Sequence, residues 1–169
     1  MFLELDIEKM ERISQQKENE NYRFRSFLKG QDDEKIDRIV SRLHKDISGL
    51  IDCTTCGNCC MKLKPGVTDS EIKRLSVIDS VSPEDFRANF IEQDDFEEAL
   101  YLKEAPCKYL SDKKCRIYAD RPAECKSYPH THLSDFNSRT LGVIENTAIC
   151  PIVFNLFEQL KREFGFRSR

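Results

Sequence analysis

No stretch of this 169-residue chain approaches the roughly 18 consecutive apolar residues of a membrane span. Residues 1–8, MFLELDIE, have neither the basic start nor the long apolar middle of a secretory signal, so we expect a cytoplasmic protein that does not enter the membrane. An excess of positive charge is also missing. Lys and Arg number 27 against 30 Asp and Glu, a formal charge of −3 with a pI near 5.7. Neutralising phosphates needs a basic surface, so the balance argues against a nucleic-acid binder. There is no HExxH, no Gly-x-Ser-x-Gly, no phosphate-binding P-loop and no Cys-His-Asn arrangement, which leaves conventional side-chain catalysis without a visible basis. Internal repeats and low-complexity stretches are absent too.

What the chain does have is sulfur. Eight cysteines are present, four of them within eight residues at Cys53, Cys56, Cys59 and Cys60, the others at Cys107, Cys115, Cys125 and Cys150. In a reducing compartment, clustered cysteines read as metal ligands or redox thiols rather than structural disulfides. Three thiolates at x2 spacing, with Gly57 between the second and third, can turn one loop toward a common centre. Zinc takes four thiolates and so does a four-iron cluster, so eight cysteines suffice for two such centres, with zinc or iron, including a 4Fe-4S cluster, as the expected cofactor. The steps from Cys53 to Cys59 match part of a ferredoxin fingerprint, but the usual fourth cysteine four residues on is absent. Cys59 and Cys60 are adjacent, so in extended chain their side chains point apart and serve different centres, or one bridges two ions. Cys150 precedes Pro151 at the start of an expected helix, where unpaired N–H groups and the helix dipole favour the thiolate. His130 and His132, just past Cys125, are candidates to replace a thiolate or to hold an exchangeable ion, whereas the isolated His44 reads as a surface residue. Lys113, Lys114, Arg116, Arg121 and Lys126 surround the later cysteines and offset thiolate charge.

The remaining pattern gives a mainly helical α+β fold, divided at residue 50 into a helical arm (1–50) and an irregular cysteine-rich domain (51–169). The first 50 residues hold no cysteine and 21 charged side chains. Residues 8–28 form a weakly apolar helix that Lys29-Gly30 stops. Ile36, Val40, Leu43, Ile47 and Leu50 recur at three and four, so a helix over 32–50 has one apolar face, able to cover the metal domain or to meet a protein partner or a second copy of the chain. Thr68-x-x-Glu71 is a capping box, and Ser82-Pro83 opens a further helix. Residues 92–98 are an acidic loop or helix end. Leu100–Leu102 and Cys115–Tyr118 look strand-like and predict a small hairpin around the polar turn 111–114. Cys125 falls on a short helical turn after Pro122, Leu141–Ile144 reads as a strand, and Pro151 begins a last helix with Val153, Phe154, Phe157 and Leu160 on one face. Asp69, Glu71, Asp85 and Glu124 read as caps or surface charges.

The ordered string Cys53-x2-Cys56-Gly57-x-Cys59-Cys60, Pro106-Cys107-x-x-Leu110, Cys115-x-Ile117-Tyr118, Arg121-Pro122-x-x-Cys125, Tyr128-Pro129, Cys150-Pro151 resembles the YkgJ-type cysteine-cluster family over about residues 50–155. That family is described as a zinc- or iron-chelating domain. The resemblance implies metal chelation by all eight cysteines, with the Arg-Pro and Tyr-Pro elements shaping the loops around them. It implies no reaction. A flagellin lysine methylase group carries a similar cysteine signature beside other sequence, but no glycine-rich nucleotide loop follows a strand in this chain.

Overall fold

The apolar stripes of the N-terminal helices and of the last helix need partners, and they find one another. A computed structural model, describing residues 3–94, 96 and 98–167, divides into two compact units: residues 1–53 with 129–169, and residues 54–128. The sequence division at residue 50 lies close to the first of these boundaries, while the segment from Pro129 onward groups with the N-terminal helices.

The first unit is helical. Asp6 caps α1 (Ile7–Gln16), and Lys17 joins it to α2 (Glu18–Leu28). The helix expected over residues 8–28 is thus two, with a break at Lys17. Asp32 caps α3 (Asp33–Ser48) by accepting from the Lys35 N–H. Ile36, Val40, Leu43 and Ile47 of α3 are all buried, each contributing about 1.5–3 kcal/mol, whereas Leu50, expected on the same face, lies past the Gly49 cap that ends the helix and is 63% exposed. Elements further along the chain supply their cover, chiefly the last helix. That helix, Pro151–Glu163, is buried without interruption from Pro151 to Phe157, as a helix at the centre of a bundle must be. The apolar face of α3 is therefore filled by this chain itself, and it is not a vacant surface for a second copy. Phe24 of α2 meets Phe157 edge to face at 5.2 Å. Lys161, only 4% exposed, spends its three donors on Glu20, Asn21 and Glu158.

The strand expected over Leu141–Ile144 is instead helical, within Thr140–Thr147. Thr140, Val143, Ile144 and Thr147 are buried at positions i, i+3, i+4 and i+7, a helical stripe hidden by reading only the β-branched centre. The Thr140 and Thr147 hydroxyls bond back to the carbonyls of Asn137 and Ile144, which removes their polar cost.

The second unit is smaller and more irregular. It opens on α4 (Cys53–Cys56, which begins one residue before the boundary) and α5 (Asn58–Lys62). Thr68 and Glu71 close the expected capping box on α6 (Asp69–Ile78), and Ser82 caps α7 (Pro83–Phe90) with Pro83 in the first turn. The acidic stretch contributes a strand, β1 (Ile91–Gln93), which pairs antiparallel with β2 (Leu100–Leu102); Asp95 and Glu97 lie outside the described residues. Leu100–Leu102 accordingly pairs backward along the chain, and residues 65–67 add to its other edge through Val67 N–H to Leu100 O and Leu102 N–H to Pro65 O. The polar turn expected at 111–114 does close a small hairpin, but its strands are β3 (Leu110–Ser111) and β4 (Lys114–Cys115), not Leu100–Leu102 with Cys115–Tyr118; Asp112 and Lys113 make the turn, both at positive φ as a tight two-residue turn requires. Then come a 3-10 turn at Tyr118–Asp120 and α8 (Ala123–Ser127), which carries Cys125 as expected. Val67, Ile72, Leu75, Phe86, Leu102 and Tyr109 form the core, with Cys107, Cys115 and Ile117 packed against it. The chain ends, in the first unit, with α9 (Thr140–Thr147) and α10 (Pro151–Glu163). Among the described residues no helix is long and apolar enough to cross a membrane.

Candidate metal centre

All eight cysteines are thiols, and they divide between the units. Cys53 is exposed and, with Cys150, belongs to the first unit; the six from Cys56 to Cys125 belong to the second. Three main-chain devices gather the latter. Gly57, at φ +64°, caps α5, and a Cβ there would come within 2.6 Å of the Lys113 carbonyl oxygen and 2.9 Å of Lys113 Cα. Only glycine lets the cysteine loop lie against the β3–β4 turn in this way. The Cys107 N–H then donates to the Cys60 carbonyl at 2.8 Å, joining the loop to the segment before the hairpin. Within that segment the Leu110 N–H returns to the Cys107 carbonyl, and Leu110 pairs with Cys115 across the hairpin.

Side chains fix the rest. Glu71 does more than close its capping box. Its Oε2 accepts from the Thr68 N–H at 2.9 Å while Oε1 accepts from the Ala123 N–H at 2.7 Å, so the start of α6 also holds the start of the helix carrying Cys125. Arg74 donates to the Asp120 carbonyl, and the Gly66 N–H donates to Glu124, tying the same turn down at two more points. On the other side, Asp79 pairs with Lys108 and accepts from the buried Tyr109 hydroxyl at 3.2 Å, while the Lys108 ammonium lies 3.1 Å from the Phe90 ring centroid. Burial, reinforced by the Asp79 charge, pushes the Tyr109 phenol well up, so it stays a neutral donor. The sequence reading missed both clamps. Glu71 carried a signal, its capping box, but one whose local explanation was sufficient; Asp79 and Lys108 carried none.

The thiols sense one another. Cys60 is drawn down to about 7 by the Cys59 side chain bonding to it, against its partial burial, and the Arg121 guanidinium adds to the effect. Cys107, Cys115 and Cys125 move the opposite way. Burial raises each, and the Cys60 charge raises each further, taking Cys125 to about 12. Backbone N–H groups of Tyr109 and Ile117 moderate the first two, and Arg121 and Arg116 also moderate Cys115. Of the five basic residues expected around these cysteines, Arg121 acts on both Cys60 and Cys115, and Arg116 acts on Cys115. Arg121 is itself held over the Tyr118 ring at 3.7 Å, and Arg116 donates to the Lys108 carbonyl at 2.9 Å. Burial and the Cys60 charge thus both disfavour a second thiolate among Cys107, Cys115 and Cys125.

The other candidates sit in the first unit. Cys150 is the N-cap of α10, 6% exposed, with Pro151 at the first helical position. His130 is at φ +61°. His44, expected at the surface, is half-buried: its Nδ1 lies 2.7 Å from the Thr131 hydroxyl and its ring 5.4 Å from that of His132. Burial, followed by the neighbouring His132, lowers its pKa. Among the described residues no group of three or more His, Cys, Asp or Glu side chains stands in an ion-holding arrangement, so the donor chemistry supports a metal here and ligand geometry does not.

Residues 52–151 match the family described as "CxxCxxCC: Putative zinc- or iron-chelating domain". The chain belongs to this CxxCxxCC family. The match covers more than half the chain and every cysteine in it, beginning just before Cys53 and ending just after Cys150. Chelation of zinc or iron by a cysteine cluster is the function that membership in the CxxCxxCC family carries. Neither a curated relative nor a solved structure matches the chain.

Proposed function

We propose that this protein holds zinc or iron through its eight cysteines, in a reducing compartment such as the cytoplasm, with Cys59, Cys60, Cys107, Cys115 and Cys125 as the nucleus of the centre. The observation that carries this reading is the family match over residues 52–151, and the downward shift of Cys60, helped by its bond from Cys59 and by Arg121, supports it. Soft sulfur donors with no carboxylate among the five suit zinc or iron and not magnesium or calcium. A cation bound there supplies the positive charge that stabilises several thiolates side by side. The chain's own residues position them: Gly57 seats the first loop, Glu71 and Arg74 seat Cys125, and Lys108 with Asp79 seats Cys107. A centre saturated by thiolates has no open coordination position, so its work is structural or storage rather than hydrolysis.

Elemental analysis of protein purified without oxygen, with an absorption spectrum, tests the proposal. Stoichiometric zinc or iron that falls in Cys60→Ser, Cys107→Ser and Cys125→Ser variants is the expected result, and metal content unchanged in all three overturns it. The same measurement on Cys53→Ser and Cys150→Ser assigns the two thiols of the first unit. An iron–sulfur centre is the second reading, favoured by Arg116 and Arg121, since nearby charge tunes cluster potential. Colourless protein with stoichiometric zinc rules it out.

A further inference from the structure

Outside the thiol nest, the first unit brings together two imidazoles that lie 88 positions apart in sequence, and nothing in the function proposed above uses them. His44 is on α3, two and three turns beyond the aspartates that organise its partner segment. Asp37 accepts from the Asp135 N–H at 2.8 Å and from the Phe136 N–H at 3.0 Å, and Asp33 accepts from Asn137 at 2.7 Å. Arg139 gathers the same segment from its other side, donating to the carbonyls of His130, Leu133 and Ser134. The loop bearing His132 is thus held at both ends by charged side chains. This setting is built, not a chance meeting of surface residues.

Thr131 completes it. Its side chain is 1% exposed and its hydroxyl lies 2.7 Å from His44 Nδ1, which fixes the ring and leaves Nε2 as the nitrogen open to an outside partner. Metal-ligating histidines characteristically have their second ring nitrogen fixed by such a hydrogen bond, which sets tautomer and orientation. The ring separation fits as well. With zinc–nitrogen bonds of about 2.1 Å and a near-tetrahedral angle, two imidazoles on one ion place their centroids about 5 Å apart. The observed 5.4 Å, with the planes at 48°, agrees with that spacing and exceeds a stacked contact.

We propose that His44 and His132 form a second metal site, in which an imidazole-preferring divalent cation of the zinc, copper(II) or nickel(II) class is held by His44 Nε2 and one His132 nitrogen, with Thr131 as the positioning residue. Two protein ligands leave about half of a tetrahedral shell to solvent. The ion here is exchangeable, in contrast to a closed thiolate centre.

Zinc titration of the full-length protein, carrying whatever metal it retains from anaerobic purification, tests the site. Equilibrium dialysis should detect one further zinc equivalent, and the side-chain nitrogen resonances of His44 and His132 should shift together as it binds. His132→Gln, an exposed position, should weaken that equivalent by at least about tenfold with unchanged melting, His44→Gln should do the same, and Thr131→Val should weaken it by about 10–100-fold. Cys60→Ser should leave it intact, which separates this site from the thiol centre. The proposal fails if His132→Gln binds the further equivalent as well as wild type, if only one of the two rings responds, or if no further equivalent binds.

Discussion

Gly57→Ala places a methyl group where the structure has least room for one. Residue 57 sits at φ +64°, and the added Cβ would meet Lys113 backbone atoms at 2.6, 2.9 and 3.0 Å, which no rotamer change relieves. The left-handed backbone alone costs a non-glycine residue about 1–2 kcal/mol. Forcing the loop and the β3–β4 turn apart adds about 1–3 kcal/mol, the usual range for overpacking. A total of about 2–5 kcal/mol is a large fraction of the roughly 5–15 kcal/mol that holds a domain together. With a urea dependence of about 2 kcal/mol per molar, the unfolding midpoint should fall by about 1–2.5 M. Because the displaced loop carries Cys56, Cys59 and Cys60, bound metal should fall with it. Gly142→Ala is the internal control, since nothing lies within 4 Å of its added Cβ and it stands inside α9, where alanine should gain about 0.5–1 kcal/mol. A Gly57→Ala protein with wild-type midpoint and full metal would refute the seating of the loop on the hairpin. One that is destabilised yet fully loaded would keep the steric argument and remove its link to the thiols.

Glu71→Ala should lower stability by about 2–3 kcal/mol, because it strands the N–H groups of Thr68 and Ala123, and should lower metal content by loosening the helix of Cys125; equal metal content would show that α8 does not depend on this clamp. Burial works to raise the Glu71 pKa, but the bonds from Ala123 and Thr68 and the Arg74 charge outweigh it and leave it lowered; Glu158, half-buried yet paired with Lys161 and Lys17, behaves likewise. A carboxylate whose folded pKa is depressed stabilises the fold fully above its unfolded value near 4.3, and the benefit disappears as pH falls through the folded value, so stability should decline below about pH 4.3 and decline less in Glu71→Ala. Parallel pH curves for the two proteins would contradict that assignment. Strong chelation should speed amide hydrogen exchange in residues 54–128 well before residues of α3 and α10, and uniform loss of protection across both would count against a metal-dependent second unit.

Much of this structure was legible beforehand, for reasons that differ by element. Caps and periodic stripes are local, so Asp32, Thr68, Ser82 and Cys150 marked helix starts that the fold retains. The turn of the hairpin at Leu110–Cys115 was visible in its polar residues, but its two-residue strands are too short to carry an alternating pattern, so the longer apolar run Leu100–Leu102 was read as one of its arms. The partner of Leu100–Leu102 was not, since Ile91–Gln93 lies inside an acidic stretch whose charge concealed its pairing. The Leu141–Ile144 segment misled because β-branched residues suit a strand and a buried helix alike, and the flanking threonines that decide the matter look polar. Cysteine spacing pointed to a metal, yet it carried no information about which thiols meet. That depended on Gly57 against Lys113 and on Glu71 against Ala123, contacts made across about 50 residues. His44 was misread for the same reason, as its partners stand on a loop nearly 90 residues away.

The placement of the thiols follows from where apolar burial runs short. Among the described residues the first unit buries eighteen hydrophobic side chains and the second buries six, although the second spans 75 residues, 54 to 128. A segment of that length is near the size at which a hydrophobic core alone stops being sufficient, and disulfides or a metal are the usual supplements. Disulfides do not persist in a reducing compartment, so there a cation is the remaining option. Six of the eight cysteines lie in the unit that is short of core, and two of them, Cys107 and Cys115, pack directly on the six residues it has. A thiolate centre at that position would extend a small core instead of replacing one, and the clamps at Gly57, Glu71 and Lys108 supply the steric, hydrogen-bonded and aromatic contacts around it. A bound ion would draw these thiols together and so add to the stability of the second unit, which is why chelation is expected to loosen that unit first.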